Sequence, residues 1–110
     1  MYIPHATIRS VMDGDIFEKI TGFEWDSGNK GKNFRRHDVT DEECEEVFFD
    51  HNKRISKDTL YSDKEKRYII VGQTKKSRLL FIVFTIRKVK VRIISSRDLN
   101  KKEHKLYESR

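Results

Sequence analysis

From Arg78 to Arg87 the chain reads Arg-Leu-Leu-Phe-Ile-Val-Phe-Thr-Ile-Arg, apolar without a break from Leu79 to Phe84 and bounded by a basic residue at each end. The run is too short to cross a bilayer, and its β-branched and aromatic content predicts a central strand buried on both faces. A β-rich run lies on each side, at 67–74 and 90–97, joined to it only by Lys75-Lys76-Ser77 and Lys88-Val89. Connections this short allow one arrangement, an antiparallel meander.

Alternation of side chains then sets the faces. With Arg87 opposite Lys90 and Thr74 opposite Arg78, Val71 pairs with Phe81, Arg67 with Thr85, Thr85 with Arg92 and Phe84 with Ile93. Arg67, Thr85 and Arg92 form one row, with Arg87 and Lys90 on the same face one row further on. Leu80, Ile82, Phe84, Ile86, Val91 and Ile93 share the other face. Arg97 falls on the opposite parity from Arg92, but at the strand's end, where it can swing round either edge. The prediction is a cationic face at one end of an apolar sheet.

The formal charge of +6 conceals a split: residues 1–63 carry 9 basic and 14 acidic side chains, net −5, and residues 64–110 carry 15 basic and 4 acidic, net +11. That asymmetry suggests a polyanion on one surface or an oppositely charged protein partner. The plainer use of such lysines is to solubilise sheet edges, and Lys75, Lys76, Lys101 and Lys102 fit it as well. One domain is expected from 110 residues, over 16–110, preceded by an extension at 1–15 with no sustained period. Met12 offers an alternative start. The single Cys44 staples nothing and points to a reducing cytoplasm; neither a signal peptide nor a membrane span is visible.

Asp26 is a good N-cap for a first helix through Arg36 or His37, although Gly28 and Gly31 weaken it. Thr40 and Glu43 form a T-x-x-E capping box for a second helix, with Val39 and Cys44 as its staple and Cys44, Val47 and Phe48 as its apolar stripe. Five acids crowd that helix. A solvated face explains them better than a metal or catalytic role, since no histidine or second carboxylate group stands at ligand spacing. Residues 50–66 hold a short edge strand anchored by Ile55 or Leu60-Tyr61. Ser96 or Asp98 caps a thin terminal helix carrying Leu99, Leu106 and Tyr107.

Phe23-Glu24-Trp25-Asp26, then Asn33, Arg36-His37 and the capped Thr40 helix, followed by Arg67-Tyr68-Ile69, Gly72, Thr85, Arg87 and Arg92-Ile93-Ile94-Ser95-Ser96-Arg97, and finally Glu103 and Tyr107, resemble the BrnT family of type II toxins. The resemblance covers residues 23–107. It implies an α+β, RelE-like compact domain: an antiparallel sheet of about four strands, two N-terminal helices packed on it and a short C-terminal helix. It further implies a ribonuclease toxin, partnered by a BrnA-type antitoxin with a ribbon-helix-helix domain in a heterotetramer that represses its own operon, touching operator DNA only through the antitoxin. Against the family pattern, Asn29 stands where lysine is usual, Asp38 replaces glycine and Asp41 replaces phenylalanine. Lys30 lies one residue off that lysine position.

Metal-free RNA cleavage needs a base near the 2′-hydroxyl, cations for the charge that builds on phosphorus, and a proton donor for the departing 5′-oxygen. Arg67, Arg87, Arg92 and Arg97 suit the cationic role because guanidinium forks match phosphate oxygens. His37 is the best titratable candidate, though a surface or helix-capping histidine is the commoner use. Trp25 can stack a base or serve as core; Tyr107 can donate a proton or pack the terminal helix; Lys30 and Lys90 are candidate RNA contacts. No residues suggest a cofactor or metal, and a metal nuclease built on the acidic helix ranks below both the ribonuclease toxin and its rival, a noncatalytic binding module or inactive homologue that docks a partner and co-represses its operon.

Overall fold

A computed structural model describes residues 19–58 and 65–108; the 1–15 extension and the Leu60-Tyr61 anchor lie outside the described residues. The strands are β1 (Gly22–Phe23), β2 (Arg54–Asp58), β3 (Arg67–Gln73), β4 (Leu79–Arg87) and β5 (Lys90–Asp98), in the sheet order β1-β5-β4-β3-β2. β2 to β5 are antiparallel as expected. β1 corrects the expectation of about four antiparallel strands: it adds a fifth, parallel to β5 through Gly22–Lys90 and Phe23–Val91.

The expected register holds from Arg67–Thr85 through Thr85–Arg92 to Phe84–Ile93. Lys88 takes φ 56° to close the two-residue link to β5. Beyond Ile93 the register slips, because Val83 pairs with Ser95 and Ile94 becomes an extra, bulged residue. A one-residue bulge reverses the faces of everything after it. Arg97 therefore stands opposite Phe81, on the Arg92 face and not on the opposite one.

Two short helices cover one face: α1 (Lys32–His37) and α2 (Asp41–Val47). The Thr40–Glu43 capping box is present in both directions, and Val39, Cys44, Val47 and Phe48 are fully buried. Burial pushes the Cys44 thiol up to about 12, so it stays protonated. Phe48 occupies the centre, edge-on to Phe23 at 5.3 Å and to Phe84 at 5.0 Å. The central strand is not buried on both faces: Leu80, Ile82 and Phe84 are buried, whereas Phe81 and Val83 on the other side are half-buried. Helices α1 and α2 cover one side of the sheet alone.

The first helix begins later than expected. Asp26 closes a turn, accepting from the Gly28 amide through its side chain and from Asn29 and Lys30 through its carbonyl. Gly31 then takes φ 68°, a left-handed conformation that interrupts the helical path, and α1 starts at Lys32. At the other terminus Asn100, not Ser96 or Asp98, makes the cap, in a reciprocal box with Glu103; the 3-10 turn Lys101–Glu103 runs on into α3 (His104–Glu108). Leu99 is buried, but Leu106 is exposed and does not pack as expected. Among the described residues no helix is long and apolar enough to cross a membrane.

Candidate active site

Four strands contribute to one row: Asp58, Arg67, Thr85 and Arg92 are successive cross-strand partners from β2 to β5. Two interstrand steps of about 4.8 Å place the Arg67 and Arg92 backbones about 10 Å apart, within reach of two guanidinium side chains. Arg87 lies one row beyond, opposite Lys90. Thr85, buried between the arginines, donates its hydroxyl to the Lys66 carbonyl at 2.7 Å and so fixes the entry to β3.

The predicted cationic face is also filled with carboxylates. Arg92 donates to Glu24 at 2.9 Å and to both oxygens of Asp26 at 2.9 and 3.1 Å; Arg87 donates to Glu65 at 2.8 Å and lies 3.9 Å from Glu24. The Glu65 carboxyl is held below the usual range by its hydrogen bond from Arg87, and the charges of Arg87, Arg67 and Arg92 all act on it. Arg92 also clasps the 24–28 turn to β5: a Cβ on Gly28 would sit 2.9 Å from its Nη2. Sequence reading missed these acids because Glu24 and Arg92 are 68 residues apart. Only the Phe-Glu-Trp-Asp signature hinted at them.

Beyond β1 the outer edge of β5 is closed by side chains instead of a strand. Asn29 donates to the carbonyls of Glu24 and Ile93, Lys32 donates to the carbonyl of Ile94, and Asn33 accepts from the Ser96 amide. Asn29 and Asn33 are buried in doing so. An exposed row of strand amides and carbonyls is thereby satisfied at the bulge.

His37 is not among the arginines. Its carbonyl accepts from Arg78, which also bonds Glu43, Asp98 and the Asp38 carbonyl at the β3–β4 hairpin end. From there β4 runs for eight residue steps, about 26 Å, to Arg87. Asp98, held below the usual carboxylate range first by Arg78, feels the His37 charge as well.

Arg97 is likewise apart. It forks onto Glu103 at 2.7 and 2.8 Å and lies 4.3 Å over the Phe81 ring, joining the terminal helix to the sheet. The hydrogen bond from Arg97 lowers the Glu103 carboxyl to about 2 from an ordinary 4.5. A depressed folded-state value stabilises the fold above pH 4.5, and that contribution fades as pH falls toward 2. Glu103→Gln is therefore expected to lose less stability than the parent across that window, read as unfolding midpoints by circular dichroism.

Of the candidate RNA contacts, Trp25 is half-buried against the core and donates to Glu45 at 2.7 Å, and Tyr107 donates to Asp50 at 2.7 Å. Lys30 and Lys90 are exposed. A cleft of about 730 Å³ opens beside α2, but Glu42, Glu45, Glu46 and Asp50 line it together with Phe23 and Phe49, and none of the arginines does. Such walls repel phosphate.

Residues 25–103 match the family model described as the BrnT ribonuclease toxin of type II toxin-antitoxin systems. The chain belongs to the BrnT family. No curated protein matches it. The BrnT match begins at Trp25 and ends at Glu103, so it spans the turn clasped by Arg92, both N-terminal helices, β2 to β5 and the residue that holds Arg97. Membership in a type II family implies a protein antitoxin as partner. No group of three or more metal-ligating side chains converges among the described residues of this BrnT chain.

Proposed function

We propose that this chain is a metal-independent endoribonuclease toxin that cleaves RNA in the cytoplasm and arrests growth until a BrnA-type ribbon-helix-helix antitoxin binds it. The observation that carries the reading is the convergence of Arg67, Arg87 and Arg92, from three strands, around Glu65 and beside Glu24. In this reading the 2′-oxygen attacks phosphorus, the bond to the 5′-oxygen breaks as solvent water protonates that oxygen, and a 2′,3′-cyclic phosphate and a 5′-hydroxyl result. Guanidinium forks hold the non-bridging oxygens while charge accumulates. Glu24, standing between Arg87 and Arg92, takes the 2′-proton, a role better served by its position than by that of His37. Phosphate replaces carboxylate on the forks when RNA binds.

A second reading, a noncatalytic module that docks its antitoxin and co-represses the operon, is favoured by the acids already seated on Arg87 and Arg92. Expression without a partner separates the two. Growth arrest with loss of RNA, and cleavage by the purified protein that persists in EDTA, is the result expected of the enzyme. Harmless accumulation of folded protein assigns it to the module, and cleavage abolished by EDTA removes the metal-free mechanism.

A further inference from the structure

Arg87 and Arg92 are held by acids, but the positive charge that continues past them is not. Lys32 opens α1 and Arg36 stands four residues later on the same side of the helix, a like-charged spacing that destabilises a helix by itself. Neither makes a hydrogen bond or ion pair with a carboxylate among the described residues, while every acid near Arg92 is already engaged by an arginine. Lys32 is partly desolvated against the carbonyl of Ile94, at the bulge two residues after Arg92. Burial first, then the charges of Arg36 and Arg92, disfavour its protonated form. One of its three N–H groups meets that carbonyl, which leaves two free.

The four cations form a chain of neighbours: Arg87 acts on Arg92, Arg92 on Lys32, and Lys32 lies beside Arg36. A line of like charges whose two far members, Lys32 and Arg36, have no carboxylate partner among the described residues suits a polyanion that threads along it, and a lone anion would engage only one or two of its members.

We infer that Lys32 and Arg36 clamp a phosphodiester of single-stranded RNA next to the scissile one, so that the strand leaves the arginine cluster along the β5 edge and passes over α1. The inference rests on the ribonuclease reading above and extends it to the path of the substrate. The terminal helix, packed toward β3, lies away from this path.

Binding of a short, uncleavable 2′-O-methyl RNA, followed by fluorescence anisotropy against salt, tests it. Arg36→Ala and Lys32→Gln are each expected to raise Kd about threefold to tenfold at low salt and to flatten the salt slope by about 0.7, the share of one single-strand phosphate. Lys105→Ala, on α3, leaves both quantities at the parental value. The path is overturned if folded Arg36→Ala and Lys32→Gln bind as the parent does, or if Lys105→Ala weakens binding equally; cleavage by the parent then leaves the nuclease reading standing. A parent protein that neither binds nor cleaves RNA removes both.

Discussion

Arg87→Ala is expected to lower RNA cleavage by about two to three orders of magnitude while the unfolding midpoint stays close to that of the parent. On the proposed mechanism the loss is large because the guanidinium stabilises the additional charge that builds on the phosphate in the transition state. The small stability effect follows from exposure: the Arg87 side chain is 49% accessible and its pairs with Glu65 and Glu24 are screened by water. Arg87→Lys recovers little, since an ammonium does not reproduce the planar fork. Arg92→Ala behaves differently, because Arg92 is only 14% accessible and clasps Glu24 and Asp26 against Gly28. It loses stability together with activity, and for that reason Arg87 is the cleaner probe. Initial rates on a fluorogenic oligonucleotide, beside a thermal melt, decide the matter. Full activity in Arg87→Ala would remove the arginine centre and leave the family membership untouched.

Phe48→Ala carries the largest expected cost in stability, about 3–5 kcal/mol, measured as the shift in urea midpoint at constant slope. The ring is fully buried and touches Phe23 on β1 and Phe84 on β4, so its removal opens a cavity where the short α2 meets the edge strand and the central strand of the sheet. Little remains to refill that space, since α2 has seven residues and buries Cys44 and Val47 beside Phe48. A loss below about 1 kcal/mol would mean that the core had collapsed into the gap.

Local chemistry made part of this legible. The Thr40–Glu43 cap, the staple of Val39 and Cys44, and the meander with its register at Arg67, Thr85 and Arg92 all rest on contacts between residues near in sequence or on strict alternation. The N-terminal part was harder. Asp26 promises a helix that Gly31 then interrupts, and the propensities of single residues do not say which of two weak signals prevails. The terminal cap passed from Asp98 to Asn100 because Asp98 is drawn into the Arg78 network, which only the folded chain assembles.

The sequence by itself determined a three-strand meander that carries Arg67, Arg87 and Arg92 on one side, since two short links and a period of two admit little else. The folded chain alone decided that Ile94 bulges and turns Arg97 toward Phe81, that Glu24, Asp26 and Glu65 occupy the guanidinium forks, and that His37 ends beside Arg78. An alternating pattern holds no mark of one inserted residue. Ion pairs that span as many as 68 positions depend on where distant segments come to rest.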